Sequence, residues 1–241
     1  MAVRKLGFEL VRAKDLENHA LSCHLARLLR ELEIECVLDV GANRGQYRTF
    51  LRRNVGFDRW IISFEPVSRN VSRLQQQAAD DPRWVIQGYA LGSEDGRMDL
   101  NVMKPDFLSS FRQPHSSVVP LYERLGGKLD HVESVVVRRL DSVIDDLRRR
   151  HGADNLFLKL DTQGFDLEVI RGAPRTLRSV RALQTELSVR PIYENAPPYQ
   201  KMLDALTERG FSITAVCPVG RDDRMRVIEL DCVLINDGGK T

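Results

Sequence analysis

The chain has 241 residues, and its 36 lysines and arginines almost balance its 34 aspartates and glutamates, giving a formal net charge of +2. A chain of this length buries most of its surface around one core, so a single domain over residues 1–241 is expected. The balanced charge argues against a nucleic acid or an anionic membrane as partner. The sequence leaves a homodimer open.

The cysteines and the start of the chain point to a reducing compartment. Cys23, Cys36, Cys217 and Cys232 lie far apart without a Cys-x-x-Cys pair, which argues against a zinc site or a disulfide framework. All four are expected to be small buried hydrophobic residues. Charged side chains interrupt any apolar run near the N-terminus, so we expect neither a signal peptide nor an integral membrane segment, and a cytoplasmic location.

Hydrophobic periodicity divides the chain into alternating helices and strands. Short apolar runs that end at a turn predict buried parallel strands, and apolar residues spaced by three and four predict amphipathic helices. In chain order we predict a helix at 16–33 within an N-terminal helical segment 1–34, a strand at 36–40, a helix at 46–53, a strand at 60–64, a helix starting at Pro66, a strand at 84–88, a helix at 141–150, strands at 156–160 and 180–187, a helix from Tyr199 closed by Gly210, and strands at 211–216 and 228–235.

This order of elements predicts the fold. Alternating strands and helices that finish in a hairpin are typical of an α/β, doubly wound, mostly parallel sheet with an antiparallel last strand. Residues 89–140 break the rhythm and hold two alternating segments, 98–102 and 132–137. Since this stretch is too long for a plain connection, we expect a β-containing insertion over the active-site crevice.

A glycine-containing turn is the strongest indication of a ligand site. Residues 39–45 (Asp-Val-Gly-Ala-Asn-Arg-Gly) follow a predicted strand and open a predicted helix, as a nucleotide-type site requires. Gly41 permits a tight turn and close approach of the backbone to a ligand, Gly45 lets the helix begin close to the sheet, and Asn43 can donate and accept hydrogen bonds. Glu65 follows the second strand, where an acidic side chain accepts from both ribose hydroxyls; its alternative role is to cap the next helix.

The same turn discriminates between cofactors. A dinucleotide fingerprint places glycine at positions that are here Gly41, Asn43 and Gln46, and a side chain at position 43 would intrude on a pyrophosphate. The pattern therefore favours S-adenosylmethionine, which has no pyrophosphate, over NAD. An NAD-dependent oxidoreductase and a non-catalytic S-adenosylmethionine-binding protein are the alternatives.

Five segments, in order, resemble the FkbM family of methyltransferases. They are Asp39–Tyr47, Phe64-Glu65-Pro66, Ala90-Leu91-Gly92, Lys159–Ala173 and Glu186-Leu187-Ser188. The resemblance implies a Rossmann-like class I methyltransferase fold and methyl transfer from S-adenosylmethionine, usually to a hydroxyl of a secondary metabolite, a sugar or a glycolipid. Gln163 stands where many members have glutamate. The candidate cofactor-binding residues are Asp39, Gly41, Asn43, Gly45, Tyr47, Glu65, Ala90 and Asp161.

Methyl transfer to a hydroxyl needs a base when the hydroxyl must lose its proton. Asp161 ends a predicted strand at the crevice and is the first candidate, with a helix cap as its alternative role. Lys159 lies on the same face of that strand, and Glu186 ends the next one, so the two carboxylates can approach each other, hold the acceptor or bind a divalent ion. Whether a metal takes part stays unknown. His115 and His131, in the insertion, are alternative bases.

The acceptor pocket is expected to draw on the insertion and on residues after the fifth strand. Apolar and hydroxyl-bearing side chains in these places would suit a small-molecule or glycolipid acceptor. The candidates are Phe107, Ser109, Ser110, Phe111, Tyr122, Arg190 and Tyr193.

Overall fold

The computed structural model describes residue 11 and residues 16–119, 126–152 and 154–238. The strands are β1 (Cys36–Val40), β2 (Trp60–Phe64), β3 (Trp84–Gln87), β4 (Ala90–Leu91), β5 (Gly96–Lys104), β6 (Lys128–Arg138), β7 (Leu156–Leu160), β8 (Val180–Ser188), β9 (Phe211–Arg221) and β10 (Val227–Asn236). The helices are α1 (Leu16–Glu31), α2 (Gln46–Phe50), α3 (Ser68–Ala78), α4 (Leu140–His151), α5 (Asp166–Arg171) and α6 (Tyr199–Thr207).

The main sheet has seven strands in the order β3-β2-β1-β7-β8-β10-β9. The first five run parallel to their neighbours, and β10 lies antiparallel between β8 and β9. The strand order reverses between β1 and β7, which is where a doubly wound sheet opens its ligand crevice. The predicted α/β fold with an antiparallel last strand is confirmed.

Helices cover both faces of this sheet, so its central strands are buried on each side. Every residue of β1 and β7 is buried, as their continuous apolar sequences require. One core packs β1, β7 and β8 against α4, α5 and α6, and the other packs the opposite face against α1 and α3. Because helices cover both faces of the sheet, only the ends of its central strands can present polar side chains to a ligand.

The insertion forms a small sheet of its own in the order β4-β6-β5. The hairpin of β5 and β6 is longer than the two predicted segments, because most of the residues that extend it are exposed and polar, among them Arg97, Lys104 and Lys128. Short 3₁₀ turns at Asp106–Leu108 and Ser116–Val118 follow β5.

Several predicted helix boundaries differ from those in the structure, and helix α1 ends at Glu31 rather than at residue 33. The α-helix α2 ends at Phe50 and continues as a π-helical turn over Leu51–Val55. Helix α3 begins at Ser68 rather than Pro66, because the Glu65 carboxylate accepts the backbone N–H of Val67. Helix α4 begins at Leu140, and the carboxylate of Asp141 accepts hydrogen bonds from the backbone of residues 175 and 176.

The cysteine prediction is correct in part. Cys36 and Cys232 are buried, Cys217 is half-buried, and Cys23 is exposed on α1, contrary to expectation. All four are free thiols. Within the described ranges, no helix is long and apolar enough to cross a membrane.

Candidate active site

The turn after β1 lies against the end of β7 at the point where the strand order reverses. Gly41 has φ +83°, and a Cβ added there would lie 1.9 Å from the carbonyl oxygen of Asp161. Gly45 has φ +82°, and its Cβ would lie 2.8 Å from the Trp84 ring. The first glycine thus permits contact between two strand ends, and the second permits the helix to pack on the sheet, as predicted.

Side chains close the same turn. The Gln46 Oε1 accepts the backbone N–H of Arg44 at 2.9 Å, and the Gln46 Nε2 donates to the Asn43 Oδ1 at 3.2 Å. A pyrophosphate requires bare backbone at this point. The structure therefore fills with side chains the space that a dinucleotide would need, in agreement with the cofactor prediction.

Glu65 lies at the end of β2 with only 4% of its surface exposed. Its two carboxylate oxygens accept the backbone N–H groups of Asn43, at 2.8 Å, and Val67, at 2.9 Å. Burial raises the pKa of Glu65 to about 7, although these two hydrogen bonds oppose the rise. A carboxylate offers about four acceptor positions, so acceptor capacity remains for a diol such as that of ribose.

A cavity of about 740 Å³ opens at this edge of the sheet. Its size is in the range of small-molecule and cofactor sites. Of the predicted cofactor residues, those in the lining are Gly41, Asn43, Tyr47, Glu65, Ala90 and Asp161. Asp39 and Gly45 are not part of the cavity lining. The lining therefore offers a helix start for a carboxylate and an acidic acceptor for a ribose, which fits S-adenosylmethionine.

Lys159, Asp161 and Asp39 form a buried charge group on adjacent strands. The Lys159 Nζ lies 3.2 Å from the Asp161 Oδ2 and 3.4 Å from the Asp39 Oδ1. Burial alone would lower the pKa of Lys159, but the two carboxylates raise it above its usual value. Burial likewise opposes the ionisation of Asp161, yet Lys159 and Gln163 hold its pKa below the ordinary value. Asp161 is thus an ionised carboxylate facing the cavity.

Asp161 is not the cap of the following helix. Helix α5 begins at Asp166 with Phe165 as its N-cap, and no side chain accepts a capping hydrogen bond there. Asp161 instead accepts from the side chains of Lys159 and Gln163. The alternative role considered for Asp161 is therefore wrong.

Carboxyl groups from β8 and β10 extend this polar wall. Glu186 lines the cavity, and its pKa is raised well above the ordinary value by burial and by the nearby Asp161. Asp231 lies opposite Glu186 across the two strands and accepts from the Gln184 Nε2 at 2.9 Å. Burial raises the pKa of Glu229 to about 7. We call Asp161, Glu186, Glu229 and Asp231 the acidic wall.

The sequence interpretation missed Glu229, Asp231 and Gln184. The available signal was the spacing of Glu229 and Asp231 in an otherwise apolar strand, because residues two apart share one face of a strand. Tyr47 joins the wall to the glycine turn, since its hydroxyl donates to the Gln184 Oε1 at 2.8 Å.

The insertion supplies the opposite side of the cavity. Phe107, Leu108, Ser109 and Phe111 are in the lining, as is Asp106. A salt bridge connects this side to the glycine turn. The Arg44 Nε lies 2.9 Å from the Asp106 Oδ2, and the Arg44 Nη2 lies 2.9 Å from the Asp106 Oδ1. The cavity is therefore polar on the sheet side and apolar on the insertion side.

Several predicted site residues lie elsewhere. His115 is outside the cavity lining, with its backbone N–H donating to Ile192. His131 lies on exposed β6 beside Asp130, 3.4 Å away, and Glu133. Arg190 pairs with Asp222 at 2.8 Å. Neither histidine is positioned to act on a ligand in this cavity.

Two of the remaining acceptor candidates do not line the cavity. Ser110 and Tyr193 lie behind the lining and contact Gln163. Tyr122 falls outside the residues that the structure describes. Among the described residues, no group of three or more His, Cys, Asp or Glu side chains is arranged to hold a metal ion.

Comparison with known proteins places this geometry in a family. A family model described as the methyltransferase FkbM domain matches residues 39–213. The 2-O-methyltransferase NoeI of Sinorhizobium fredii (strain NBRC 101917 / NGR234) is 29% identical over 193 residues, covering 76% of this chain and 75% of the relative.

Two solved structures were also compared. The methyltransferase FkbM of Methylobacillus flagellatus KT is 16% identical with a TM-score of 0.49, and the match covers 92% of this chain but 60% of that one. The magnesium protoporphyrin IX methyltransferase of Synechocystis PCC 6803, solved with bound S-adenosylmethionine, is 12% identical with a TM-score of 0.47, covering 97% and 88% of the two chains.

The family match spans more than half of the chain and includes the glycine turn, Glu65, Asp161 and Glu186. It supports S-adenosylmethionine-dependent methylation over the two alternatives, an oxidoreductase and a non-catalytic binding protein. The chain belongs to the FkbM family of methyltransferases and is an S-adenosylmethionine-dependent O-methyltransferase.

Proposed function

We propose that the methyl acceptor is a hydroxyl of a sugar carried on a glycolipid or a related secondary metabolite. The observation that carries the proposal is the acidic wall, which presents several carboxyl groups to one cavity. Carboxylates accept hydrogen bonds, and a sugar ring presents several hydroxyl donors close together. An apolar or anionic acceptor would cover these half-buried acidic groups without offering them hydrogen-bond donors.

The apolar side of the cavity suits the rest of such an acceptor. Phe107 is 47% exposed, although it is a large hydrophobic residue that lines the cavity. Leu108 and Phe111 continue the apolar surface. An acceptor with a polar head and an apolar scaffold would bury both kinds of surface, whereas a free sugar would leave the aromatic side uncovered.

S-adenosylmethionine supplies an activated methyl group on a sulfonium. We assign its ribose to Glu65 and its amino-acid part to the turn that holds Gly41 and Asn43, with Tyr47 and Ala90 as further contacts. Asp39 acts indirectly, because it pairs with Lys159 from behind the wall. These residues bind and orient both reactants, which is a large part of catalysis in a displacement at carbon.

We assign the role of general base to Asp161. It is ionised because Lys159 lies 3.2 Å away and offsets the effect of burial. Burial and the neighbouring Asp161 raise the pKa of Glu186 and so favour its protonated form, which can donate a hydrogen bond to an acceptor oxygen. One carboxyl group thus takes the hydroxyl proton while its neighbour orients the substrate.

Two further observations agree with this assignment. The relative NoeI is named a 2-O-methyltransferase, so methyl transfer to an oxygen atom has a precedent at 29% identity. The four cysteines are free thiols, as in proteins of a reducing compartment, and we place the reaction in the cytoplasm.

The proposal is tested with methyl-labelled S-adenosylmethionine and matched acceptors. We would compare alkyl glycosides, the same sugars without the alkyl chain, and alkyl 2-deoxyglycosides, which lack the 2-hydroxyl that the name of NoeI makes the first candidate. We expect label in the alkyl glycosides, less in the free sugars, and none in the 2-deoxy compounds. Label that enters the 2-deoxy compounds equally would contradict transfer to that hydroxyl, and no label in any glycoside would refute the sugar proposal.

A further inference from the structure

Gln163 occupies a backbone position that most side chains avoid. It follows β7 with φ 53°, in the left-handed region, and Gly164 continues the turn with φ 86°. A residue with a Cβ in this region costs roughly 1–2 kcal/mol relative to the ordinary conformation. A second glycine would relieve this strain, so the side chain at 163 needs a reason for being there.

The side-chain amide of Gln163 bridges three functional groups. Its Oε1 lies 2.6 Å from the Tyr193 hydroxyl, which donates to it. Its Nε2 donates to the Asp161 Oδ1 at 2.8 Å and lies 3.4 Å from the Glu186 Oε2. An ionised carboxylate only accepts, so the nitrogen must face Asp161, and Tyr193 fixes this orientation from the other end.

The insertion holds the backbone of the same turn. The Ser110 Oγ donates to the Gln163 carbonyl at 2.7 Å, and the Arg112 Nε donates to the Gly164 carbonyl at 2.9 Å. Tyr193 is 2% exposed and packs between the turn and the insertion. The turn and its side chain are therefore fixed from several directions.

We propose that Gln163, clamped by Tyr193, is a positioning residue that holds the Asp161 carboxylate ionised and oriented beside Glu186. This inference rests on the proposed function in one respect, which is that Asp161 is the base. Gln163 cannot itself act as a base, since an amide neither gains nor loses a proton near neutral pH. It acts through the donor that it presents to Asp161.

The charge environment of Asp161 shows why a neutral donor is useful there. Lys159 from β7 is the cation beside it, at 3.2 Å. The carboxyl groups that surround this pair are Asp39 on β1, Asp166 on α5, Glu186 on β8, and Glu229 and Asp231 on β10. With one cation among these acids, loss of the Gln163 donor leaves the ionised form of Asp161 less stable.

The first test measures the titration of Asp161 directly, with no acceptor present. Carboxyl ¹³C resonances of the full-length protein are followed against pH, and Asp161→Asn identifies the signal. We expect Gln163→Met, which keeps the length but removes the donor, to raise the Asp161 midpoint by roughly one pH unit. Gln163→Glu adds a carboxylate and gives a larger rise; Tyr193→Phe gives a smaller one. Gln113→Met, on the exposed surface of the insertion, is the matched control and leaves the midpoint unchanged.

The second test follows kcat against pH with an acceptor that the labelling assay identifies. The acidic limb of the profile moves to higher pH in Gln163→Met by the same amount as the NMR midpoint, and the KM for S-adenosylmethionine changes little. An unmoved midpoint in folded Gln163→Met overturns the inference, even if methyl transfer to sugars is found. A moved midpoint without any sugar methylation upholds it and counts instead against the proposed acceptor.

Discussion

Cofactor binding is predicted to depend on pH through Glu65. Burial raises the pKa of this carboxyl group to about 7. Hydrogen bonds from ribose hydroxyls favour the ionised form, so the bound state has a lower pKa and binding releases a proton. If only the ionised form binds, affinity is about tenfold weaker at pH 6 than at pH 8, since the protonated fraction of Glu65 falls across this interval.

The assay is calorimetric titration of S-adenosylhomocysteine at pH 6, 7 and 8 into the wild type and Glu65→Gln. The α-amino group of the ligand also titrates at alkaline pH, so the comparison between the two proteins matters more than either trend alone. The variant loses charge-assisted hydrogen bonds worth ~1.5–3 kcal/mol, which weakens binding at pH 8 by roughly 10- to 150-fold. In this variant the pH dependence of binding that is due to Glu65 is also lost.

The control in this experiment is the thermal stability of Glu65→Gln, which shows whether the variant is folded at each pH. Glu65 also accepts the backbone N–H groups of Asn43 and Val67, so thermal unfolding of the variant must be recorded at each pH. Identical pH trends in the wild type and in folded Glu65→Gln would refute the ribose assignment.

Three further changes test other parts of the site. Asp161→Asn is expected to lower kcat by roughly 10²- to 10⁴-fold, with S-adenosylhomocysteine affinity within a few fold, because a general base acts on the rate; an equal loss in both would make Asp161 a cofactor contact. Gly41→Ala is expected to destabilise the fold by more than ~2 kcal/mol, since its Cβ would lie 1.9 Å from the Asp161 carbonyl oxygen. Gly56→Ala is its control, because Gly56 also has a positive φ but an added Cβ would meet no atom within 4 Å. Equal melting temperatures for the two variants would contradict the steric argument. Phe107→Ala is expected to raise the acceptor KM several-fold with little change in kcat, whereas Met225→Ala, 70% exposed and outside the cavity lining, leaves both unchanged; unaltered KM in Phe107→Ala would remove the apolar side from the acceptor site.

The central strands could be predicted from the sequence because local signals bound them at both ends. Strands β1, β2 and β7 have the predicted limits, since each is a short apolar run followed by Gly41, Glu65-Pro66 or Asp161. Edge elements were less predictable. Strand β9 extends to Arg221, five residues beyond the prediction of 216, because the added segment contains Pro218 and Gly220, which normally indicate the end of a strand.

The cofactor half of the site was more accessible to sequence reasoning than the acceptor half. Gly41, Asn43 and Glu65 are set by one strand-turn-helix unit and by the end of the neighbouring strand, so local spacing identifies them. The acidic wall combines residues from β7, β8 and β10, which lie far apart in the chain. His115 illustrates the converse, because a plausible residue type in the insertion gave no information on which way that segment faces the sheet.

The acidic wall is a poor arrangement for stability alone. Acidic side chains are seldom clustered away from bulk water, and burial raises the pKa of Glu186, Glu229 and Asp231 because ionisation is unfavourable there. Apolar residues at these strand positions would extend the core at no such cost. Each O-methylation releases one proton from the acceptor hydroxyl, and Glu229, whose pKa burial raises to about 7, can receive it at neutral pH. A carboxyl group that weakens the sheet thus gives the proton a path away from the base, which is the reason to expect it in a methyltransferase cavity rather than in a purely structural sheet.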